Sequence, residues 1–223
     1  RKAASASDMA RASGHIIGPL QGIPVAVKDI IDIEGKITTG GSMVWKDRRS
    51  SLTATLVRRM VEAGMIVLGK THTVEFAMGS FGTNQHMGSP KNPWDLEEHR
   101  ATGGSSAGTA AAVAAGLSPW GIGTDTGGSV RIPSAWCGLT GLKTSVGRIS
   151  THGVLPLSHT LDTPGPMCRS VEDAAILYRI LAGPDEQDSR TVIHSVEDPF
   201  PELKKGISGF KLARVSDSEL ENV

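Results

Sequence analysis

The sequence predicts an α/β fold, a sheet covered by helices, and three observations carry that reading. Short apolar runs at 23–28 and 65–69 flank a stretch of helical periodicity, the strand–helix–strand pattern of a covered sheet. An alanine-rich segment at 105–115 leads directly into a third strand-like run at 117–124. Glycine is in excess, 27 of 223 residues, or about 12% against a usual ~7%. It clusters around 79–88, 103–108, 121–128 and 138–147, where backbone packs tightly against something small.

The elements follow in order. Residues 3–13 are alanine-rich and polar and read as the tail of a helix ending at Gly14. Gly18-Pro19 and Gly22 turn the chain into the strand at 23–28. Ser50, Ser51 or Thr53 is expected to cap a helix through Ala63, with Leu56, Val57, Met60 and Val61 on one face and Gly64 as its stop. The apolar strand at 65–69 comes next. Residues 79–104 show no period and read as a long ordered loop, a length that is usually functional. Beyond the small-residue helix and the strand at 117–124, Asp125 to Ser129 forms a turn. Ser170-Val171-Glu172-Asp173 approximates a capping box for a helix through Leu181, closed by Gly183-Pro184. The segment 185–209 is polar and irregular, and 209–215 reads as a further strand.

Charge excludes some functions. Lys plus Arg and Asp plus Glu number 23 each, so the net charge is zero, which argues against a nucleic-acid-binding arm or an electrostatic membrane anchor. No apolar run approaches the roughly 18 residues of a membrane span. Cys137 and Cys168 cannot build a multi-bridge scaffold and read as free buried thiols, consistent with a cytoplasmic setting.

Two glycine-serine motifs bear on chemistry. Gly104 to Gly108 fits G-x-S-x-G around Ser106, but that elbow needs a strand just before the serine, and 97–102 is not one. A phosphate loop also fails, because no Lys-Ser or Lys-Thr follows the glycines. A helix N-cap with close-packing glycines explains the segment equally well. In Gly123-Thr124-Asp125-Thr126-Gly127-Gly128-Ser129, two glycines before a serine let successive N–H groups converge, as an oxyanion hole requires. Asp125 and Arg131 lie six apart and are placed to brace that turn, which also reads as a plain strand-to-helix turn.

A hydroxyl nucleophile needs a base. None of His15, His72, His86, His99, His152, His159 and His194 sits in a triad or zinc-ligand context. Lys28 is the other candidate, at the end of an apolar strand. Burial that moves its pKa from ~10.4 toward 7–8 takes about 3–4 kcal/mol and yields a neutral amine able to act as a base. A solvated Lys28–Asp29 pair at a strand end is the plainer alternative.

Taken together, the segments resemble a known family. Gly22-Ile23-Pro24-Val25-Ala26-Val27-Lys28-Asp29, Gly69-Lys70-Thr71, Gly103-Gly104-Ser105-Ser106 and the run from Gly121 through Ser129-Val130-Arg131-Ile132-Pro133-Ser134 resemble the amidase signature family. Cys137 to Lys143 and Asp162-Thr163-Pro164-Gly165-Pro166-Met167 extend the likeness, which runs from about residue 10 to 192. It implies a mixed central β-sheet covered by helices on both faces, and a Ser–cis-Ser–Lys triad. Ser129 matches the nucleophile, Ser105 the bridging serine after a cis peptide bond, and Lys28 the base. The N–H groups around Thr126, Gly127 and Gly128 match the oxyanion hole. Ser106, Asp125 and Arg131 match supporting residues, and Ala77, Met78 and Gly79 lie where relatives line the substrate site.

The implied activity is hydrolysis of an amide-type C–N bond, with carbamate (urethane) or ester as further substrates, through an acyl-Ser129 intermediate and with no cofactor or metal. Two mild departures stand out: Ala107-Gly108 replaces a common glycine pair, and Thr102 replaces a frequent proline. The family's catalytic domain is roughly twice this length. The single domain expected over 1–223 therefore reads as truncated at both ends, its C-terminal segment being the partner that completes it; related enzymes are often homodimers. The amidase-like component of a tRNA-dependent amidotransferase is the alternative, against which His72-Thr73-Val74 departs from an expected Asn-Met-Asp. A catalytically incomplete fragment is a third.

Overall fold

A computed structural model describes residues 1–191, 196, 198–211, 213–216 and 218. Five strands form one mixed sheet in the order β2-β1-β3-β5-β4. Strand β1 (Pro24–Lys28) runs parallel to β2 (Ile66–Thr71) on one side and to β3 (Trp120–Asp125) on the other. Strand β5 (Thr163–Cys168) pairs antiparallel with β3 and with the two-residue β4 (Thr140–Gly141).

Alternation along the strands decides what covers each face. Val25, Val27, Trp120, Ile122 and Cys168 share one core with Leu56, Val57 and Met60 of α2 (Thr55–Glu62) and with Leu177 and Leu181 of α5 (Val171–Leu181). The opposite face is lined by glycine, and α3 (Ala107–Ala114) lies directly on it. A Cβ added to Gly123 would sit 2.7 Å from Ser106 Oγ and 2.8 Å from Met167 Sδ. Small residues on both partners thus bring the turn before α3 against the backbone of β3. That approach creates the site.

Helix α1 (Lys2–Ala12) precedes the sheet, and α4 (Arg131–Trp136) follows the turn after β3. The Ser170 hydroxyl accepts from Asp173 N at 3.1 Å, capping α5 as its sequence indicates. Gly64 ends the α2 turn with φ +89 and Gln21 Cα only 2.8 Å from where its Cβ would be. Residues 79–104 carry no helix or strand. Among the described residues, no helix is long and apolar enough to cross a membrane.

Several expectations are corrected. The N-cap of α2 is Ala54, with no side-chain cap. The Ser50 hydroxyl instead donates to Asp32 at 2.7 Å, and Thr53 Oγ1 accepts from Glu34 N at 3.0 Å, so the loop before the helix has taken both. Val61 is 52% exposed rather than on the buried face. Strand β2 is an edge strand, with Leu68 55% exposed. Strand β3 starts at Trp120, because the Ser118 hydroxyl folds back onto the Trp120 carbonyl at 2.7 Å.

Strands β4 and β5 have no counterpart in the periodicity. Pro164 and Pro166 disguise β5. The Pro166 carbonyl accepts from Leu142 N on the β4 side, so the N–H groups the prolines lack face the short β4 and leave the β3 ladder whole. The irregular tail contains a four-residue helix, α6 (Phe200–Leu203). The described residues of 209–215 are exposed and form no strand, and Leu212 lies outside the described residues.

Candidate active site

The parallel strands β1 and β3 end side by side, and the turn leading into α3 closes over their carboxyl ends, the position where open α/β sheets bind ligands. Lys28, the last residue of β1, is fully buried. Its Nζ donates to Ser105 Oγ and to Thr124 Oγ1, each at 2.8 Å. Burial pulls its pKa down to about 7, against the opposing pull of the Asp125 and Asp162 carboxylates. The amine is therefore neutral in a large share of molecules near neutral pH, as a general base must be.

Ser105 is fully buried and follows a cis peptide bond from Gly104. Its carbonyl accepts from Val74 N at 3.2 Å and from the Thr73 hydroxyl at 3.1 Å. Ser106 Oγ bridges the backbone of Thr124, donating to its carbonyl and accepting from its N–H, both at 3.2 Å. The two serines thus have different tasks: Ser105 faces Lys28, and Ser106 fastens the turn to β3.

The turn after β3 is wrapped around Asp125, whose side chain is fully buried. Its carboxylate accepts from Gly128 N at 2.8 Å, Val130 N at 3.1 Å and Arg131 N at 3.3 Å. Arg131 adds a two-pronged ion pair through Nε and Nη2, each at 3.0 Å. Burial pushes the Asp125 pKa up, but Arg131 and the backbone donors outweigh it and hold the carboxyl below its usual range. Gly128 N–H is thereby committed to the turn. The N–H groups of Thr126, Gly127 and Ser129 make no hydrogen bond among the described residues and are the ones left to receive a ligand oxygen.

Ser129 is half-buried, and its carbonyl accepts from Ser106 N at 3.3 Å. Its hydroxyl makes no hydrogen bond among the described residues, so the structure joins Lys28 to Ser105 directly and Ser129 to the adjoining Ser106 through backbone. Ala77 is buried at φ 62, Met78 is 71% exposed, and the Gly79 carbonyl lies 2.7 Å from where a Gly104 Cβ would be. This segment therefore lies over the Gly103–Ser105 turn at the edge of the site.

Sequence reasoning assigned no task to two contributors. Thr124 is the second partner of Lys28. Asp162 is buried and accepts from the Thr126 hydroxyl and from Leu157 N at 2.8 Å. Thr124 had a signal, a hydroxyl beside Asp125 at the end of a strand. Asp162 had little, because the prolines after it hide the strand that aims it. A separate apolar groove along α2 and β2, lined by residues such as Leu52, Val57 and Val67, holds none of these residues.

The amidase family model matches residues 1–223. A glutamyl-tRNA(Gln) amidotransferase subunit of Syntrophobacter fumaroxidans is 47% identical over 194 residues, covering 87% of this chain and 40% of that protein. A solved structure described as an unexpected vestigial protein complex that reveals the evolutionary origins of an s-triazine catabolic enzyme superposes with TM-score 0.88 at 41% identity, over 94% of this chain and 46% of that one. Native peptide amidase from Stenotrophomonas maltophilia superposes with TM-score 0.84 at 40% identity, over 91% of this chain and 42% of its own. The chain spans less than half the length of each.

Proposed function

The chain belongs to the amidase family, and from that premise we propose that it carries the catalytic centre of a serine amidohydrolase cleaving an amide-type C–N bond. The observation that carries the reading is a fully buried lysine with a pKa near neutrality, hydrogen-bonded to Ser105 beside a turn with unpartnered N–H groups. Neutral Lys28 accepts the Ser105 proton as Ser105 accepts that of Ser129, and the Ser129 oxygen adds to the carbonyl carbon. The oxyanion is met by the N–H groups of Thr126, Gly127 and Ser129. The proton returns to the leaving nitrogen and the C–N bond breaks; water then adds to the acyl carbon as its proton passes through Ser105 to Lys28, and that proton returns to Ser129 as the acyl–oxygen bond breaks. Carbamates and esters present the same carbonyl and fall within this chemistry. The pocket that selects the acyl group is assigned partly to residues beyond this span.

The test is hydrolysis of a panel of primary amides, anilides and carbamates by the full polypeptide beside Ser129→Ala and Lys28→Ala. Both variants are expected to lose at least about 100-fold in turnover. Near wild-type turnover in either overturns the reading.

A second reading takes specific support from the glutamyl-tRNA(Gln) amidotransferase relatives at 45–47% identity: the same centre would release ammonia inside a larger assembly. In that case the substrate is glutamine, and a partner protein co-purifies. Glutaminase activity that rises on adding the partner selects it; amide hydrolysis by the unpartnered polypeptide selects the first.

A further inference from the structure

We infer that Asp162 is a positioning residue for the oxyanion turn: its carboxylate holds Thr126, and through it the unpartnered N–H groups of Thr126 and Gly127, in the place where charge develops. The inference rests on the proposed function and adds a residue to it. The β3–β5 ladder ends at the pair Asp125–Thr163, where the Thr163 hydroxyl donates to the Asp125 carbonyl at 2.8 Å. One step further, the register sets Asp162 opposite Thr126, and the Thr126 hydroxyl donates to it. Asp162 is itself anchored, accepting from Leu157 N at 2.8 Å and from Ser158 N at 3.0 Å.

The turn has a second grip at its far end, where Asp125 takes Gly128 N, Val130 N and Arg131. Between the two grips lies Gly127, exposed, with no atom of the described residues beyond its two chain neighbours within 4 Å of where its Cβ would be. A glycine with nothing packed against it does not hold its own N–H in direction. The direction of that donor therefore depends on the two ends, and Asp162 is the end on the Thr126 side. Preorganised donors matter because they need no reorganisation as the oxyanion forms.

Asp162 also acts on Lys28 by charge. The charged groups facing Lys28 are Asp125, at the end of β3, and Asp162, ahead of β5. Asp29, next along β1, is engaged by Lys70 of β2 at 2.8 Å, and the turn before α3 presents the Ser105 hydroxyl. Both carboxylates raise the Lys28 pKa, so removing one charge lowers it and moves the acid limb of activity toward lower pH.

The experiment uses a fluorophosphonate on the full polypeptide. Ser129 Oγ bonds to phosphorus, the P–F bond breaks, fluoride leaves, the serine proton passes through Ser105 to Lys28, and the phosphoryl oxygen occupies the oxyanion position. Thr126→Val and Asp162→Asn are each expected to slow the maximal labelling rate about 10–100-fold, with the half-saturating probe concentration changed less than about 3-fold. At a pH above the acid limb, where Lys28 is neutral in every variant, the double variant is expected to match the single ones, because both remove the same Thr126–Asp162 hydrogen bond. Thr126→Ser, which keeps the hydroxyl, is expected to label within about 3-fold of wild type. Asp162→Asn shifts the acid limb to lower pH; Thr126→Val leaves it in place.

Labelling of both single variants within about 3-fold of wild type, or losses that multiply in the double variant, overturns the inference while leaving Ser129 as nucleophile. If Asp162→Asn does not fold, the contrast between Thr126→Val and Thr126→Ser decides alone. Absence of label on wild-type Ser129 overturns the proposed function itself, and the inference with it.

Discussion

Replacing Lys28 by methionine should make the protein more stable at mildly acid pH while it abolishes activity. Lys28 is fully buried, and its pKa falls from 10.5 to about 7. At about 1.4 kcal/mol per pH unit, that is about 5 kcal/mol of preference for the neutral amine. Between these two values the unfolded chain binds more protons than the folded one, so wild-type stability rises with pH across the window. Below the lower value both states are protonated, and the penalty of holding an ammonium inside is complete.

Methionine removes this titration but leaves Ser105 Oγ and Thr124 Oγ1 without the amine that lies 2.8 Å from each. At about 1 kcal/mol per hydrogen bond, the loss is about 2 kcal/mol at every pH. The two effects give Lys28→Met an advantage of about 3 kcal/mol near pH 6, equality near pH 9, and a deficit of about 2 kcal/mol near pH 10.5. Urea unfolding of both proteins at several pH values reads the difference directly, with the other titrations common to both. A difference that stays constant with pH, or a wild type more stable than the variant near pH 6, would refute the assignment of Lys28 as a buried, weakly basic amine.

Other outcomes follow from the same geometry. The rate of amide hydrolysis should rise with pH through about 7, as Lys28 loses its proton, and then level; a rate that falls across this range contradicts a neutral-lysine base. Asp125→Asn sets an amide group against backbone donors and the Arg131 guanidinium, so it should destabilise by about 3 kcal/mol in urea unfolding; an unchanged midpoint means the turn does not depend on the ion pair. Gly123→Ala drives a methyl against Ser106 Oγ at 2.7 Å and Met167 Sδ at 2.8 Å, so it should cost about 1–3 kcal/mol and slow the reaction; full stability means α3 has room to move.

The covered sheet was readable where local signals agree with the tertiary outcome. The strand at 24–28, the helix through Glu62 and the Gly64 stop are each set by residues within a few positions, and α5 carries its own cap in Ser170. The signals failed where a residue's partner lies far along the chain. Ser50 resembles a helix cap until Asp32, 18 residues away, takes its hydroxyl. Pro164 and Pro166 argue against a strand until one side of that strand is seen to need few donors.

The site divides in the same way. Lys28 at the end of an apolar run and the glycines before Ser129 are legible because burial and backbone freedom leave local marks. The pairing of Asp125 with Arg131 is legible because six residues of turn bring them together. Thr124 on Lys28, and Asp162 on Thr126, depend on which strand ends lie side by side, and that is a property of the sheet rather than of any segment. The commitment of Gly128 N–H to Asp125 likewise appears only once the turn is folded.

Everything proposed for the site rests on Ser129 as the nucleophile and on Lys28, through Ser105, as its base. Peptide mass spectrometry after fluorophosphonate treatment tests this pairing most directly, on the full polypeptide and on Lys28→Met. One adduct is expected, on Ser129, formed rapidly by wild type and at least about 100-fold more slowly without the lysine. An adduct on Ser105, Ser106 or another residue, or labelling of Ser129 at the same rate in both proteins, would contradict it.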